Sequence, residues 1–377
     1  MEKILVLTET IGGSGHFQAA RAIRKGLNRT KSGVKVEIVC GLPHFSRQLE
    51  GMIRKVYLST LQHAPGLWGA VYNKEREFSD AFRLSLARVL SGKMRELLEI
   101  HRPAVVIATH AFCLGALAEV KDRMGWSLRL GAAITDFDVN GFWIHPAVDF
   151  YLVAHKRVAE KLIREFGVED RRIYPTGIPI DPDFTELSLP KETLRMRMGI
   201  DPTAFTVLLM GGGVGLGPLD QTITQFRRDL PQSQLVVVTG KNRELYGRLQ
   251  DRFHGDKKIY LFGYVDGMRD WMGASDLIVT KPGGMTSSEA LATGLPILIC
   301  RPIPGQEERN SRFLIRERVA LRQDRPEAIP RHIHPLMQAP ERWKAMGERA
   351  LRLGCPRSSL DAAQIILDHL QQSTPSP

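Results

Sequence analysis

The first strand-like run of the sequence is Ile4-Leu5-Val6-Leu7, and it leads into the glycine cluster Gly12-Gly13-Ser14-Gly15-His16. The same order returns in the second half, where Val207-Leu208-Leu209-Met210 is followed by Gly211-Gly212-Gly213. An apolar run, a glycine cluster and then a helical pattern are typical of the first strand, loop and helix of a Rossmann-like unit. Its occurrence twice predicts two such units in one chain.

Outward from these stretches, short apolar runs alternate with longer amphipathic patterns. Alternation of this kind, with strands that are apolar throughout, indicates parallel sheets covered by helices on both faces. We therefore predict an α/β fold of two Rossmann-like domains whose parallel sheets face a cleft. The predicted strands are Ile4–Thr8, Val34–Val39, Ala104–Ala108, Leu128–Ile134, Phe150–Ala154, Phe205–Met210, Gln234–Thr239, Lys258–Phe262, Asp276–Val279 and Pro296–Cys300.

The domain boundary is predicted from composition. Residues Tyr174–Pro182 are rich in proline and glycine, which neither a helix nor a strand continues through, so we place the linker there. The expected domains are residues 1–180, residues 181–355, and a C-terminal helix with a disordered tail at residues 356–377. A length of 377 residues suits two or three domains.

Charge and composition narrow the function classes. The chain has 52 Lys and Arg against 41 Asp and Glu, a net charge of +11. That excess fits an anionic membrane surface, nucleic acid or no partner at all, but the absence of a basic run or a known module disfavours nucleic acid. No apolar run approaches the ~18–20 residues of a membrane span, and the first residues lack signal-peptide features, so we expect a cytoplasmic protein. Four scattered cysteines predict neither a disulfide framework nor a zinc site.

The first glycine loop carries His16 at a predicted helix N-terminus. The helix dipole lowers the pKa of an imidazole there, which makes His16 a candidate base. A helix-capping or surface histidine is the plainer alternative. A dehydrogenase, with Glu37 as the ribose-binding acid, is a weaker one, because Gln18 interrupts the G-x-G-x-x-G pattern.

A second cluster follows the predicted strand that ends at Val279. Gly283 and Gly284 expose backbone N–H groups, and Met285 and Thr286 fall in the first helical turn, so the cluster suits an anion. Glu289 lies one turn further on, where a carboxylate accepts hydrogen bonds from a ribose diol. The alternative is a capping box of Thr286 with Glu289.

Two further clusters follow strands. Gln306, Glu307 and Asn310 stand on or beside a Pro/Gly turn and suit a polyhydroxylated ligand such as a sugar, or else form an ordinary acidic helix start. Asp136, after the strand that ends at Ile134, is a candidate base or a group that orients His16. The alternative for Asp136 is an Asx turn.

Together these motifs resemble one family. The monogalactosyldiacylglycerol synthases and the bacterial processive diacylglycerol glucosyltransferases, in glycosyltransferase family 28, carry similar motifs in the same order from Ile4 to about Leu353. Two departures stand out, since Ser14 occupies the centre of the glycine loop and no histidine lies between Asp136 and Trp143. The matching segments are Gly12–His16, Thr135–Phe137, Trp143–Pro146, Thr176–Pro179, Lys281–Gly284, Ser288–Ala290 and Pro304–Glu307.

The resemblance implies a GT-B fold, an inverting mechanism and a UDP-sugar donor, UDP-glucose or UDP-galactose, with no cofactor and no catalytic metal. It makes His16 the base candidate with Asp136 nearby, and Glu289 the ribose contact. Gln306 and Glu307 would contact the sugar, with Asn310 in the same cluster. The remaining donor-binding residues implied are Gly211, Gly212, Gly213, Gly283, Gly284, Met285 and Thr286 around the diphosphate, and Phe262, Gly263 and Val265 around uracil.

The implied acceptor is diacylglycerol or a related membrane lipid. Residues 44–102 hold ten Lys or Arg against six acids, and within them Met52–Tyr72 mixes basic with aromatic residues. Such a stretch is typical of an interfacial anchor on an anionic membrane, although two helices packed on their own domain would fit it too. We expect peripheral attachment at the cytoplasmic face. The acceptor and membrane residues predicted are Gly15, Arg54, Lys55, Tyr57, Trp68, Tyr72 and Trp143.

Several functions remain open at this point. The leading one is hexose transfer to diacylglycerol at the membrane surface. The same fold also serves a prenyl-phosphate sugar or a small-molecule aglycone as acceptor. A nucleotide-sugar sensor without catalysis is the alternative from another class, and it predicts that His16 is dispensable.

Overall fold

The computed structural model describes residues 2–10, 14–31, 33–41, 51, 55, 92–186, 189–212 and 219–373. The chain forms two compact units. The first comprises Met1–Pro182, Pro304–Gln306 and Arg357–Pro377, and the second comprises Asp183–Ile303 and Glu307–Pro356.

Over the described residues, the first unit contains a six-stranded sheet in the order β2-β1-β3-β4-β5-β6, with every neighbouring pair parallel. Residues 92–101 are also helical. The strands are β1 (Lys3–Thr8), β2 (Lys35–Cys40), β3 (Val105–Ala108), β4 (Arg129–Ala133), β5 (Phe150–Leu152) and β6 (Ile173–Tyr174). The helices with full bounds are α1 (Gly15–Thr30), α2 (Ala111–Met124), α3 (Lys156–Phe166) and the C-terminal helix, labelled α12 below (Ser358–Ser373).

The C-terminal helix α12 is part of the first unit. Its apolar side chains share one buried core with β1, β3 and α1. The ring of His369 stacks on Phe150, with the centroids 4.0 Å apart. Helix α1 approaches α12 so closely that a Cβ on Gly26 would lie 2.2 Å from the carbonyl oxygen of Ser359. The chain therefore returns to its first sheet after completing the second.

The second unit repeats the architecture. Its described strands form a parallel sheet in the order β12-β11-β10-β7-β8-β9. They are β7 (Thr206–Met210), β8 (Gln234–Val238), β9 (Ile259–Phe262), β10 (Leu277–Thr280), β11 (Ile297–Ile299) and β12 (Ala320–Arg322). The helices are α4 (Lys191–Arg197), α5 (Leu219–Asp229), α6 (Arg243–Phe253), α7 (Met268–Ala274), α8 (Gly284–Ala292), α9 (Gln306–Arg316), α10 (Ile329–Gln338) and α11 (Pro340–Leu353), of which only the first residue of α9, Gln306, belongs to the first unit.

The prediction of two Rossmann-like units with parallel sheets is confirmed. Two short edge strands were not predicted, β6 and β12, because runs of two or three residues carry no apolar pattern of their own. The segment Tyr174–Pro182 also begins inside the first unit, since Tyr174 ends β6 and the Gly177 N–H donates to the Val153 carbonyl. Among the described helices, none has both the length and the apolarity that crossing a bilayer requires.

Candidate active site

The loops after β1, β3 and β4 meet at one edge of the first sheet, because parallel strands end on the same side. His16 follows β1 in the first turn of α1, whose N-cap residue Ser14 makes no side-chain capping bond. Thr109 follows β3 and Thr135 follows β4. Both threonines contact the His16 ring, so these three loops build one site.

The hydrogen bonds of His16 fix which ring nitrogen carries the proton. Nδ1 lies 2.8 Å from the backbone carbonyl oxygen of Thr109 and 2.8 Å from Oγ1 of Thr135. A carbonyl oxygen only accepts, so Nδ1 is the protonated nitrogen and donates to it. The lone pair of the neutral ring is therefore on Nε2, which is the nitrogen able to take a proton from a substrate.

The His16 ring is neutral over the physiological range. Burial lowers its pKa from 6.5 to about 4, and the bond to the Thr109 carbonyl acts in the opposite direction. The sequence predicted a lowered pKa from the helix dipole, whereas burial is the largest cause in the structure. The Thr109 hydroxyl also lies 3.1 Å from the main-chain carbonyl of His16, so one residue holds both the backbone and the ring of the base candidate.

Asp136 lies directly after Thr135 and is buried, 7% exposed. The segment that follows is anchored, because Nζ of Lys161 donates to Asp138 Oδ1 and to the Val139 carbonyl, both at 2.8 Å. Because Thr135 contacts the His16 ring, Asp136 lies in the same loop as a hydrogen-bond partner of His16. Whether Asp136 or His16 acts as the base stays a prediction.

Trp143, predicted on the acceptor or membrane side, is only 4% exposed and ends a short 3₁₀ helix, Gly141–Trp143. Its side chain is therefore enclosed by protein, and the assignment of Trp143 to the acceptor or membrane side stays a prediction. Gly15 is the first residue of α1 and is half-buried. Lys55 is exposed, while Arg54, Tyr57, Trp68 and Tyr72 lie outside the described residues, as do Gly12, Gly13 and Gly213.

His110 is a site residue that sequence reasoning missed. It is the N-cap of α2, and its ring centroid lies 4.7 Å from that of His16 with the ring planes at 84°. The available signal was its position, two residues after the apolar run Ala104–Ala108, where side chains of a parallel sheet reach the ligand edge.

In the second unit, the corresponding edge is built from backbone. Gly212 follows β7 with φ +70°, a conformation that a side chain disfavours. Gly283 is the N-cap of α8 and has no side chain to bond the first N–H groups of the helix. Thr286 is the third helical residue rather than the cap, so the capping-box alternative is wrong. The N–H groups of Gly284, Met285 and Thr286 have no intrahelical partner and suit an anion.

Side chains from α9 hold this loop in place. Asn310 is fully buried, and its Nδ2 donates to the Pro282 carbonyl at 3.1 Å. Glu307 Oε2 accepts from the Ile303 N–H at 2.7 Å and so fixes the turn before α9. Burial lowers the pKa of Lys281, and the Glu307 carboxylate raises it. Gln306 is half-buried at the start of α9, and Glu289 is half-buried in the second turn of α8.

The loop after β9 also lies at this edge. The Phe262 carbonyl accepts from both the N–H (3.0 Å) and the hydroxyl (3.2 Å) of Thr239, which occupies both of its lone pairs. The Gly263 carbonyl accepts from the Gly240 N–H at 3.2 Å. These bonds tie the loop after β9 to the turn after β8, and the predicted uracil contact of Phe262, Gly263 and Val265 stays a prediction.

The dehydrogenase alternative assigned a ribose contact to Glu37. Its carboxylate instead lies in β2 and pairs with Lys35 and His101. The Glu37 carboxylate is thus held by two side chains of the first unit. The structure thus gives Glu37 a structural role.

Comparisons with known proteins cover both units. The family model described as monogalactosyldiacylglycerol (MGDG) synthase matches residues 16–180, and the glycosyltransferase family 28 C-terminal domain matches residues 206–354. A processive diacylglycerol beta-glucosyltransferase of Bacillus pumilus is 29% identical over 99% of this chain and 95% of that protein. A protein of the same name from Bacillus mycoides is 30% identical over 91% of this chain and 89% of its own length.

Solved structures share the fold at low identity. UDP-GlcNAc 2-epimerase from Neisseria meningitidis, bound to UDP-GlcNAc, matches with a TM-score of 0.61 at 14% identity, covering 99% of this chain and 100% of that one. MurG from Acinetobacter baumannii matches with a TM-score of 0.59 at 13% identity, covering 98% and 100%. The fold is GT-B, as the family resemblance implied.

Proposed function

The chain belongs to glycosyltransferase family 28, beside the processive diacylglycerol β-glucosyltransferases, and on this premise we propose that it transfers a hexose from a UDP-sugar to diacylglycerol, with inversion, at the cytoplasmic membrane surface. Its relatives' names favour glucose over galactose as the hexose. The observation that carries the proposal is His16, neutral and with its lone pair on Nε2.

The acceptor step needs one base. In a single displacement, the acceptor oxygen attacks the anomeric carbon from the face opposite UDP, so an α-linked donor gives a β product. His16 Nε2 would take the hydroxyl proton, and the resulting imidazolium would keep its Nδ1–H bond to the Thr109 carbonyl. A positioned base of this kind contributes a factor of ~10²–10⁴ in rate.

The donor step needs stabilisation of the departing UDP. We assign this to the N–H groups at the start of α8 and to the Gly211–Gly213 loop, which together supply donors without a metal. Glu289 would hold the ribose, and Gln306 with Glu307 the sugar hydroxyls. Asn310 would act indirectly, by fixing the Pro282 carbonyl of the loop.

The decisive experiment is turnover by the purified full chain. UDP-glucose and UDP-galactose are each supplied with diacylglycerol in mixed micelles, and the product is identified by mass spectrometry and by the proton coupling at the anomeric carbon. We expect a β-glycosyldiacylglycerol. Transfer to a prenyl-phosphate sugar or a soluble alcohol, with none to diacylglycerol, would overturn the acceptor; an α-linked product would overturn inversion.

A further inference from the structure

A second imidazole, that of His110, lies beside the base candidate and has no part in the mechanism above. It stands between β3 and α2, half-buried, with its ring in edge contact with that of His16. A centroid distance of 4.7 Å means that a small polar group bound against one ring is within reach of the other. His110 is therefore placed to contact the molecule that His16 deprotonates.

The tautomer of His110 follows from its capping role. The backbone N–H of Phe112 donates to its Nδ1 at 3.3 Å, so Nδ1 carries a lone pair and no proton. Burial holds the pKa of His110 well below its usual range, and the neighbouring His16 lowers it further. A neutral ring that accepts through Nδ1 bears its single proton on Nε2.

The two rings thus present opposite hydrogen-bonding groups. His16 accepts through Nε2, because its Nδ1 proton is bound to the Thr109 carbonyl, whereas His110 donates through Nε2. An alcohol with a second oxygen close to its hydroxyl, such as a glycerol ester or a vicinal diol, satisfies both groups at once. A simple alcohol satisfies only one.

We propose that the Nε2–H of His110 donates a hydrogen bond to a second oxygen of the acceptor alcohol and so selects acceptors that carry an oxygen next to the reacting hydroxyl. This inference rests on the proposed function, since it concerns the acceptor of that reaction. It makes His110 an acceptor-binding residue with a defined donor atom. The alternative is that His110 serves only as the N-cap of α2.

Two substitutions separate capping from acceptor binding, because each keeps the function of one ring nitrogen and removes that of the other. In His110→Asn, the side-chain oxygen replaces Nδ1 and still caps α2, but no donor remains at the Nε2 position. In His110→Gln, the amide N–H replaces Nε2 and the capping acceptor is lost. The matched control is His155→Asn, since His155 caps α3 in the same way, accepting from the Arg157 N–H at 3.2 Å.

The measurements are Tm, the KM for diacylglycerol and the KM for the UDP-sugar. We expect His110→Asn to keep the wild-type Tm and donor KM while the acceptor KM rises severalfold, up to about tenfold, because one hydrogen bond to a neutral group is lost. His110→Gln should lose about 2–4 °C of Tm but keep the acceptor KM within about threefold. His155→Asn should change none of the three.

If the acceptor KM of His110→Asn equals that of the wild type, the inference is overturned and His110 acts only as the N-cap of α2. Because His110→Asn keeps the cap, this variant decides the question even if His110→Gln does not fold. A result in which Gln is as impaired as Asn in acceptor KM would overturn it as well. Failure of the proposed function is seen separately, because the wild type would then not glycosylate diacylglycerol. The comparison is in that case repeated with whichever alcohol the wild type does use, and the same outcomes apply.

Discussion

The ligand edges of the two sheets use different chemistry on the same architecture. In the first unit, the edge carries side chains: the two imidazoles of His16 and His110, held by threonines and by a capped helix start. In the second unit, the edge carries backbone: Gly212 with φ +70° and the helix start at Gly283, which no side chain caps. On the proposed function, the same strand–loop–helix unit would serve proton transfer in one case and anion binding in the other.

The difference follows from what each task requires. A base needs one nitrogen with a pKa below the working pH, and enclosing a side chain lowers the pKa of a histidine. A diphosphate needs several donors converging on its oxygens, which successive backbone N–H groups supply where glycines keep side chains away. Five experiments test or sharpen this division, from the largest expected effect to none.

The largest effect is expected from removing the base. His16→Ala should lower kcat by a factor of ~10²–10⁴, because the acceptor hydroxyl loses its proton acceptor, while the affinity for the UDP-sugar stays close to wild type. Steady-state kinetics and calorimetry measure the two quantities. His334→Ala, at an exposed position of α10, is the control. If Asp136→Asn abolishes turnover and His16→Ala keeps most of it, the two roles must be exchanged.

Donor binding should respond to the second unit alone. Glu289→Ala should raise the KM for the UDP-sugar more than about tenfold, since a hydrogen bond to a carboxylate is worth about 1.5–3 kcal/mol. The acceptor KM should not change. Glu341→Ala, exposed on α11, serves as the matched loss of a carboxylate. Donor affinity that is equal in both variants by calorimetry would remove Glu289 from the site.

Membrane attachment should depend on charge. Binding to vesicles containing anionic lipid should fall severalfold as salt rises, because the Debye length shortens from ~10 Å at 0.1 M to ~3 Å at 1 M and the charges are screened from each other. Trp68→Ala should weaken it again, since the basic and aromatic stretch Met52–Tyr72 is the predicted anchor. Sedimentation with liposomes measures both. Equal binding to neutral and anionic vesicles at every salt concentration would contradict the electrostatic part.

The pH profile tests the enclosure of His16. With a pKa of about 4, the ring stays neutral at pH 5.5, so kcat/KM there should be within about twofold of its value at pH 7. A histidine with the ordinary pKa of 6.5 would lose about tenfold. Between pH 6.5 and about pH 4, the His16 imidazole is protonated in the unfolded chain but not in the folded one. The free energy of unfolding therefore rises with pH over this range, and the stability that the neutral ring contributes is lost as the pH falls through about 4. An acid limb near pH 6.5 would contradict an enclosed base.

No effect is expected from chelation. If backbone N–H groups at the start of α8 stabilise the departing UDP, activity should survive excess EDTA unchanged. Turnover measured with EDTA, and again after adding Mg²⁺ or Mn²⁺, tests this. Complete loss with EDTA and recovery with either cation would mean that the donor edge works through a metal.

Most of the fold could be predicted from the sequence, because buried parallel strands are apolar along their whole length. Each predicted strand corresponds to an observed one; for example, Gln234–Thr239 is observed as Gln234–Val238. The strands β6 and β12 could not be predicted, since their residues become strands only by pairing with β5 and β11. The return of α12 to the first sheet depends equally on contacts between distant residues, such as Gly26 with Ser359.

What the sequence by itself determined is which residue types follow which strands. It placed Asp136 and Gly283 in loops after strands and His16 and Glu289 in the helices that follow such loops, and the structure has all four in these positions. Local order suffices for this, because strand direction in a parallel sheet fixes where each loop emerges.

What only the tertiary structure decided is the protonation of the site. The proton on His16 Nδ1 is set by a carbonyl 93 residues away, at Thr109, and its low pKa by the burial of the ring. The position of His110 in the site was likewise set by the tertiary structure, because the pairing of β1 with β3 brings its ring next to that of His16. Tautomers and pKa values depend on neighbours in space, and the linear order of residues does not specify those neighbours.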